Sequence, residues 1–311
     1  MKFLKIILVL TGMAVIATCV FILIARIKPP KPPDSGVNQF IKRIVNEIDS
    51  LGKLPDSKFC REFYKEIEYH INDYYKHDPP TYPFGRLGNN QMENDQWKEN
   101  LSKNLYNAYS EKFIKQAFYV FRGSEWKNEN LTIIRSEYQT LRKSNLLEKG
   151  SPVDREFTKI QTVLGKYDEI AGFISASNGF SYSGNTLSEH FPVSDVKDKI
   201  SRAADYAKNN LENEYVKNCT RLLDGLKEVP QALFRAHVRY LDSKIEQWSG
   251  LFSNYNSQRD YANNLFTPLK NEIEALDNNI YKADNFDGEY NRLNDKLNAD
   301  SQKAFEYSSK Q

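Results

Sequence analysis

Phe234, Val238, Leu241, Ile245, Trp248, Phe252 and Tyr255 recur at alternating intervals of four and three. That spacing puts them on one face of a helix and suits helix-on-helix packing. Similar stripes fill most of the chain. Phe40, Ile41, Ile44, Ile48 and Leu51 form one. Phe59, Phe63, Ile67, Ile71 and Tyr74 form the next, after Leu54-Pro55-Asp56-Ser57, where Asp56 or Ser57 is placed to cap it. Trp97, Leu101, Leu105, Tyr109, Phe113 and Ala117 mark a third helix, and Leu131, Ile134, Tyr138 and Leu141 a fourth.

Ser151-Pro152-Val153-Asp154 is a start signal: a capping serine, a proline in the first turn and an acid at the positive helix end. Phe157, Ile160, Leu164, Tyr167 and Ala171 follow on one face. Leu211, Tyr215, Cys219, Leu222, Leu226 and Val229 make a stripe that Pro230 is expected to kink or end. Thr267-Pro268 reads as the start of another helix, carrying Leu269, Ile273, Leu276 and Ile280. Tyr290, Leu293, Leu297 and Ala304 suggest a last helix or a frayed tail. No stretch alternates as a strand would.

Each stripe needs a partner face, because an isolated amphipathic helix is marginal in water. The expected fold is therefore all-α: an N-terminal transmembrane helix followed by an antiparallel helical bundle, either single or divided into two sub-bundles near the Phe173–Asp195 loop. The expected organisation is a signal anchor over residues 1–27, a Pro-rich spacer over 28–37 and an N-terminal helical subdomain over 38–172. A polar loop over 173–195 and a C-terminal helical subdomain over 196–311 complete it.

The anchor rests on Ile6–Ala25, 20 residues without a charge. As a helix they span roughly 30 Å, the thickness of a bilayer's hydrocarbon core. Cleavage after Ala17, or lipidation at Cys19, would leave an exposed apolar N-terminus, so an uncut anchor is expected. Lys2 and Lys5 precede the run, and Arg26, Lys28 and Lys31 follow it. A short leading tail with a large trailing body favours placing the body outside the cytoplasm, in the periplasm if the cell is bacterial. Lys28-Pro-Pro-Lys-Pro-Pro33 reads as a stiff spacer.

Of 43 basic residues, five lie in the first 31, leaving a body with 38 basic and 41 acidic residues. That slightly acidic balance argues against nucleic acid as a partner. The expected partners are the lipid bilayer, through residues 6–25, and an envelope protein.

Chemical signatures are sparse. His70, Asp73 and His77 share a helix face but match no zinc spacing, so no metal or cofactor is expected. Phe173–Asp195 is rich in Ser, Gly and Asn, and carries Glu189 and His190 as a candidate loop site near Ser175, Ser177, Ser181 and Ser183. No nucleophile elbow accompanies them. Arg235, His237, Arg239 and Tyr240 form a candidate partner or ligand surface. Cys60 and Cys219 fall beside apolar faces, as two buried thiols rather than a bridge. Asn130-Leu-Thr132 and Asn218-Cys-Thr220 match the glycosylation pattern, which is common by chance. The sequence thus points to a membrane-anchored extracytoplasmic binding or scaffolding protein without catalysis. The alternative is an envelope hydrolase using the Ser-rich loop around His190.

Overall fold

The computed structural model describes residues 35–74, 91–123, 126–184, 186–212, 214–249, 251 and 258–308. The proposed anchor lies outside them, as do most of the spacer and the proline-rich stretch 78–90. Among the described residues no helix is long and apolar enough to cross a membrane. The described chain is helical with no strand, as the 3.6-residue periodicity requires. The chain forms two compact units, Met1–Phe113 and Ile114–Gln311. The boundary between these units falls inside a helix.

In the first unit, α1 (Ser35–Gly52) and α2 (Arg61–Tyr74) pack together, and α3 (Gln91–Arg122) contributes its residues up to Phe113. Ile44, Ile48, Leu51, Ile67, Ile71, Leu105 and Phe113 are buried here. At roughly 1.5–3 kcal/mol for each large apolar side chain, this burial outweighs modest helix propensities. Tyr64 stacks on Tyr109 with centroids 4.2 Å apart. The expected caps Asp56 and Ser57 do not start α2, which begins at Arg61 with Tyr64 N–H on the Cys60 carbonyl. Asp56 instead accepts from Lys112 at 2.5 Å, and Lys112 also donates to the Leu54 carbonyl. The lysine is buried, so its need for acceptors shapes the turn between α1 and α2.

In the second unit, α4 (Asn128–Arg142) packs on α5 (Pro152–Asn178), and α5 and α6 (Val193–Glu212) pack on α7 (Thr220–Ser249). Helices α9 (Thr267–Glu274), α10 (Asn278–Tyr281) and α11 (Phe286–Ser308) also meet α7, which is the hub. Ser151 caps α5 as expected, accepting from Asp154 N–H at 3.2 Å. Asp154 in turn accepts from Gly150 N–H and pairs with Arg142. At Gly225 the backbone of α7 runs so close to α5 that a Cβ would lie 2.9 Å from Ile174.

One local expectation fails and two are refined. Residues 173–178 continue α5, so the loop shortens to residues 179–192. Pro230 sits inside α7 and does not end it. A proline costs a helix about 3 kcal/mol, but Leu226, Val229, Leu233 and Phe234 are all buried around it and offset that. The stripe upstream of it is interrupted instead, by the end of α6 and a 3-10 turn at Val216–Asn218. Thr267-Pro268 opens α9 as expected, with the proline in its first turn, but the helix does not start out of a loop. A short helix, α8 (Gln258–Tyr261), runs through a π turn (Ala262–Phe266) directly into α9. The wider turn accommodates a proline that lacks an N–H. The last stripe is a helix to Ser308, with Leu293, Leu297 and Ala304 buried.

Candidate functional site

Where the loop 179–192 meets α7 and α9, the second unit buries a polar cluster. Helix geometry sets Tyr240 and Lys244 one turn apart on one face of α7. Lys244 is buried, and its ammonium has three acceptors for its three N–H donors. It lies 2.6 Å from Glu272 Oε1 on α9, 2.6 Å from the Tyr240 hydroxyl and 2.5 Å from the Glu189 carbonyl oxygen. Tyr240 donates to that same carbonyl at 2.6 Å. Glu272 Oε1 is also 2.6 Å from Nδ1 of His190.

Tyr240 has its acidity suppressed first by burial and then by the Glu272 carboxylate, so it stays a protonated donor. Gly184 passes close over its ring, where a Cβ would come within 3.2 Å.

Below the polar layer lies an aromatic one. The Phe191 ring stacks on His237, centroids 4.0 Å apart and planes within 7°. His237 Nδ1 meets the Tyr281 hydroxyl at 2.7 Å. Burial pushes the imidazole down to about 3, so it is a neutral ring at ordinary pH. Burial likewise raises the Tyr281 phenol.

Of the four residues read as one surface, Arg235 and Arg239 are exposed while His237 and Tyr240 are buried. They fall on two faces: Arg235 and Arg239, four apart, share the exposed one, while His237 and Tyr240, three apart, share the buried one, because a two-residue step turns about 200° around the helix axis. Glu189 and His190 are brought to a site, but one built by α7 and α9 rather than by serines. The Ser177 hydroxyl goes to the Phe173 carbonyl, and the Ser188 and Thr186 hydroxyls share a hydrogen bond. His190 is mostly exposed, with its side chain 71% accessible, and its hydrogen bond is to Glu272.

Lys244 and Glu272 were not anticipated. The one available signal is that Lys244 lies seven residues from His237 and four from Tyr240, on the flank of the apolar stripe. A lysine there must find acceptors or leave the core.

The remaining candidates resolve simply. His70 pairs with Glu47 at 3.2 Å, Asp73 lies on the same helix, and His77 is outside the described residues. Burial would raise the Glu47 carboxyl, but Arg43 and His70 hold it below its usual value. Among the described residues no group of three His, Cys, Asp or Glu could hold a metal. Cys60 and Cys219 are both buried free thiols, and burial raises the Cys219 thiol.

Chemically, the cluster aims two donors, an ammonium and a phenol, at one carbonyl oxygen above a neutral aromatic floor. Such a site holds an acceptor oxygen; its tyrosine and buried histidine are not poised to exchange protons. The class defined by these features is an all-α helical protein with a buried Lys–Glu–Tyr cluster under a surface loop. The chain matches no known protein family, no curated protein and no solved structure.

Proposed function

We propose that the protein is a membrane-anchored, extracytoplasmic helical module that binds or scaffolds a protein partner in the cell envelope, without catalysis. The observation that carries this reading is the uncharged run Ile6–Ala25, followed by a proline-rich spacer and an all-helical body. A run of that length is the span of one bilayer core. The binding role is supported by the cluster at Lys244, which is arranged to hold an oxygen acceptor. Mass spectrometry of the native protein should find an N-terminus that retains residues 6–25. Protease added to spheroplasts should digest the body. A mature end at residue 18 or beyond, or a protected body, overturns the placement. Crosslinking in the native membrane should recover one reproducible partner.

The 2.6 Å His190–Glu272 pair favours a second reading, an envelope hydrolase using the Ser-rich loop. Turnover of an ester or peptide library, abolished by His190→Ala, would establish it in place of the first.

A further inference from the structure

Residues 186–192 are fastened to the second unit at three consecutive positions. The Glu189 carbonyl takes Lys244 and Tyr240, the His190 ring takes Glu272, and the Phe191 ring lies on His237. Of these seven residues only Phe191 is buried; Thr186, Ser188 and His190 are exposed. The segment is not helical. Backbone bonds within or next to it include Glu189 N–H to Thr186 at 3.2 Å and Val193 N–H to Phe191 at 2.8 Å. Segments with so little burial open locally at far less cost than global unfolding.

The surface beneath is far more elaborate than a loop rest requires. An almost wholly buried lysine is kept only where acceptors are supplied. Two of its three, Glu272 and Tyr240, belong to helices, and only the third belongs to the segment. If the segment lifts, Lys244 and Tyr240 still converge on the position of one carbonyl oxygen, beside the uncovered face of His237. The Lys244 charge is already balanced by Glu272, so this cradle suits a neutral carbonyl better than an anion.

We propose that Lys244, Tyr240, Glu272 and His237 form a peptide-binding site that residues 186–192 occupy in cis. The ligand is a non-helical peptide segment that offers a main-chain carbonyl, an aromatic side chain two residues later and then a proline, the order found at Glu189, Phe191 and Pro192. A partner's segment of this kind displaces the resident one. The proposal rests on the reading of the protein as a binding module, and not on its membrane placement.

The test uses the full chain in detergent micelles and a fluorescent peptide of residues 186–192, Thr-Leu-Ser-Glu-His-Phe-Pro, followed by anisotropy. The wild-type protein should bind it poorly, because the tethered segment competes at an effective concentration in the millimolar range. Phe191→Ala should bind it saturably. The same peptide with alanine for phenylalanine should not bind, and Phe191→Ala/Tyr240→Phe should bind about tenfold more weakly, having lost one donor. In a second measurement, His190→Ala, which removes the segment's own bond to Glu272 and leaves the Lys244–Glu272 pair intact, should speed amide exchange in residues 186–191 about tenfold while α5, α7 and α11 keep their protection. A folded Phe191→Ala protein that ignores the peptide, equal binding of the alanine peptide, or unchanged exchange in His190→Ala overturns the proposal. Those outcomes leave the N-terminal mass spectrometry and the crosslinking untouched, so failure here is distinguishable from failure of the wider reading.

Discussion

The ammonium of Lys244 and the Oε1 of Glu272 stand 2.6 Å apart, with 2% of the lysine side chain exposed and 13% of the glutamate. They join α7 to α9, and through the same carboxylate oxygen and the same ammonium they hold the loop 179–192. A second polar network ties α7 to α11. There Arg292 and Lys296 both reach Asp242, at 2.6 and 2.8 Å, and Lys296 also reaches Glu246. Burial would raise the Asp242 carboxyl, but its two cations hold it below its usual value. The second network is partly solvated and each link is weak. The first is buried, and breaking it should be costly.

Lys244→Met should destabilise the protein by about 3 kcal/mol, because it strips a cation from a largely buried carboxylate and leaves the Glu189 carbonyl short of a donor. Lys244→Met/Glu272→Leu should recover much of that loss, since an apolar pair of similar volume avoids the desolvation cost. Denaturant unfolding of the two variants checks this. A single variant within about 0.5 kcal/mol of wild type would remove the pair from the stability account.

His237 should make stability depend on pH in a defined window. Its pKa is 6.5 in the unfolded chain and about 3 in the fold. Above pH 6.5 the ring is neutral in both states and contributes no slope. Below it the unfolded chain takes up a proton that the folded chain refuses, so stability falls as pH drops from 6.5 towards 3. The slope from this one group is roughly 1.4 kcal/mol per pH unit. His237→Gln, which keeps a polar partner for Tyr281 but does not titrate, should flatten that limb. Unfolding midpoints measured across this window will show whether the slope disappears with the histidine.

Lys282 ends α10 with φ 48° and ψ 44°, a left-handed conformation that a side chain disfavours. Lys282→Gly should raise stability by about 0.5–1 kcal/mol, because removing the Cβ relieves more than the added chain entropy costs. Lys282→Ala keeps the Cβ and should gain nothing. Thermal unfolding of the pair separates the backbone effect from loss of the lysine charge.

Ser151→Ala should cost about 1 kcal/mol by leaving the Asp154 N–H at the start of α5 without its acceptor. Ser151→Asn, which can accept the same bond, should stay near wild type. Equal stability of all three proteins in denaturant would show that the Asp154 side chain and its neighbours suffice to start the helix.

Local chemistry was legible where it acts over a few residues. The stripe Phe157, Ile160, Leu164 gave α5, and Ser151 gave its first turn, because periodicity and capping depend on neighbours in sequence. Asp56 failed as a cap because its carboxylate goes to Lys112, a contact no local rule contains. Pro230 does not end α7 because Leu226, Val229, Leu233 and Phe234 are buried around it, and that burial exceeds a local penalty. The grouping of Arg235 with Tyr240 failed because charge pattern does not tell which side of α7 is covered.

The sequence by itself determined that this chain is built of helices with apolar faces, since a period of 3.6 residues is written directly in the order of side chains. Only the tertiary structure decided that α7 is the hub of its unit, and that Glu189, Lys244 and Glu272 meet. Their meeting depends on which faces bury one another over separations of 28 to 83 residues, and the energy that selects it belongs to the packed ensemble of helices rather than to any one of them.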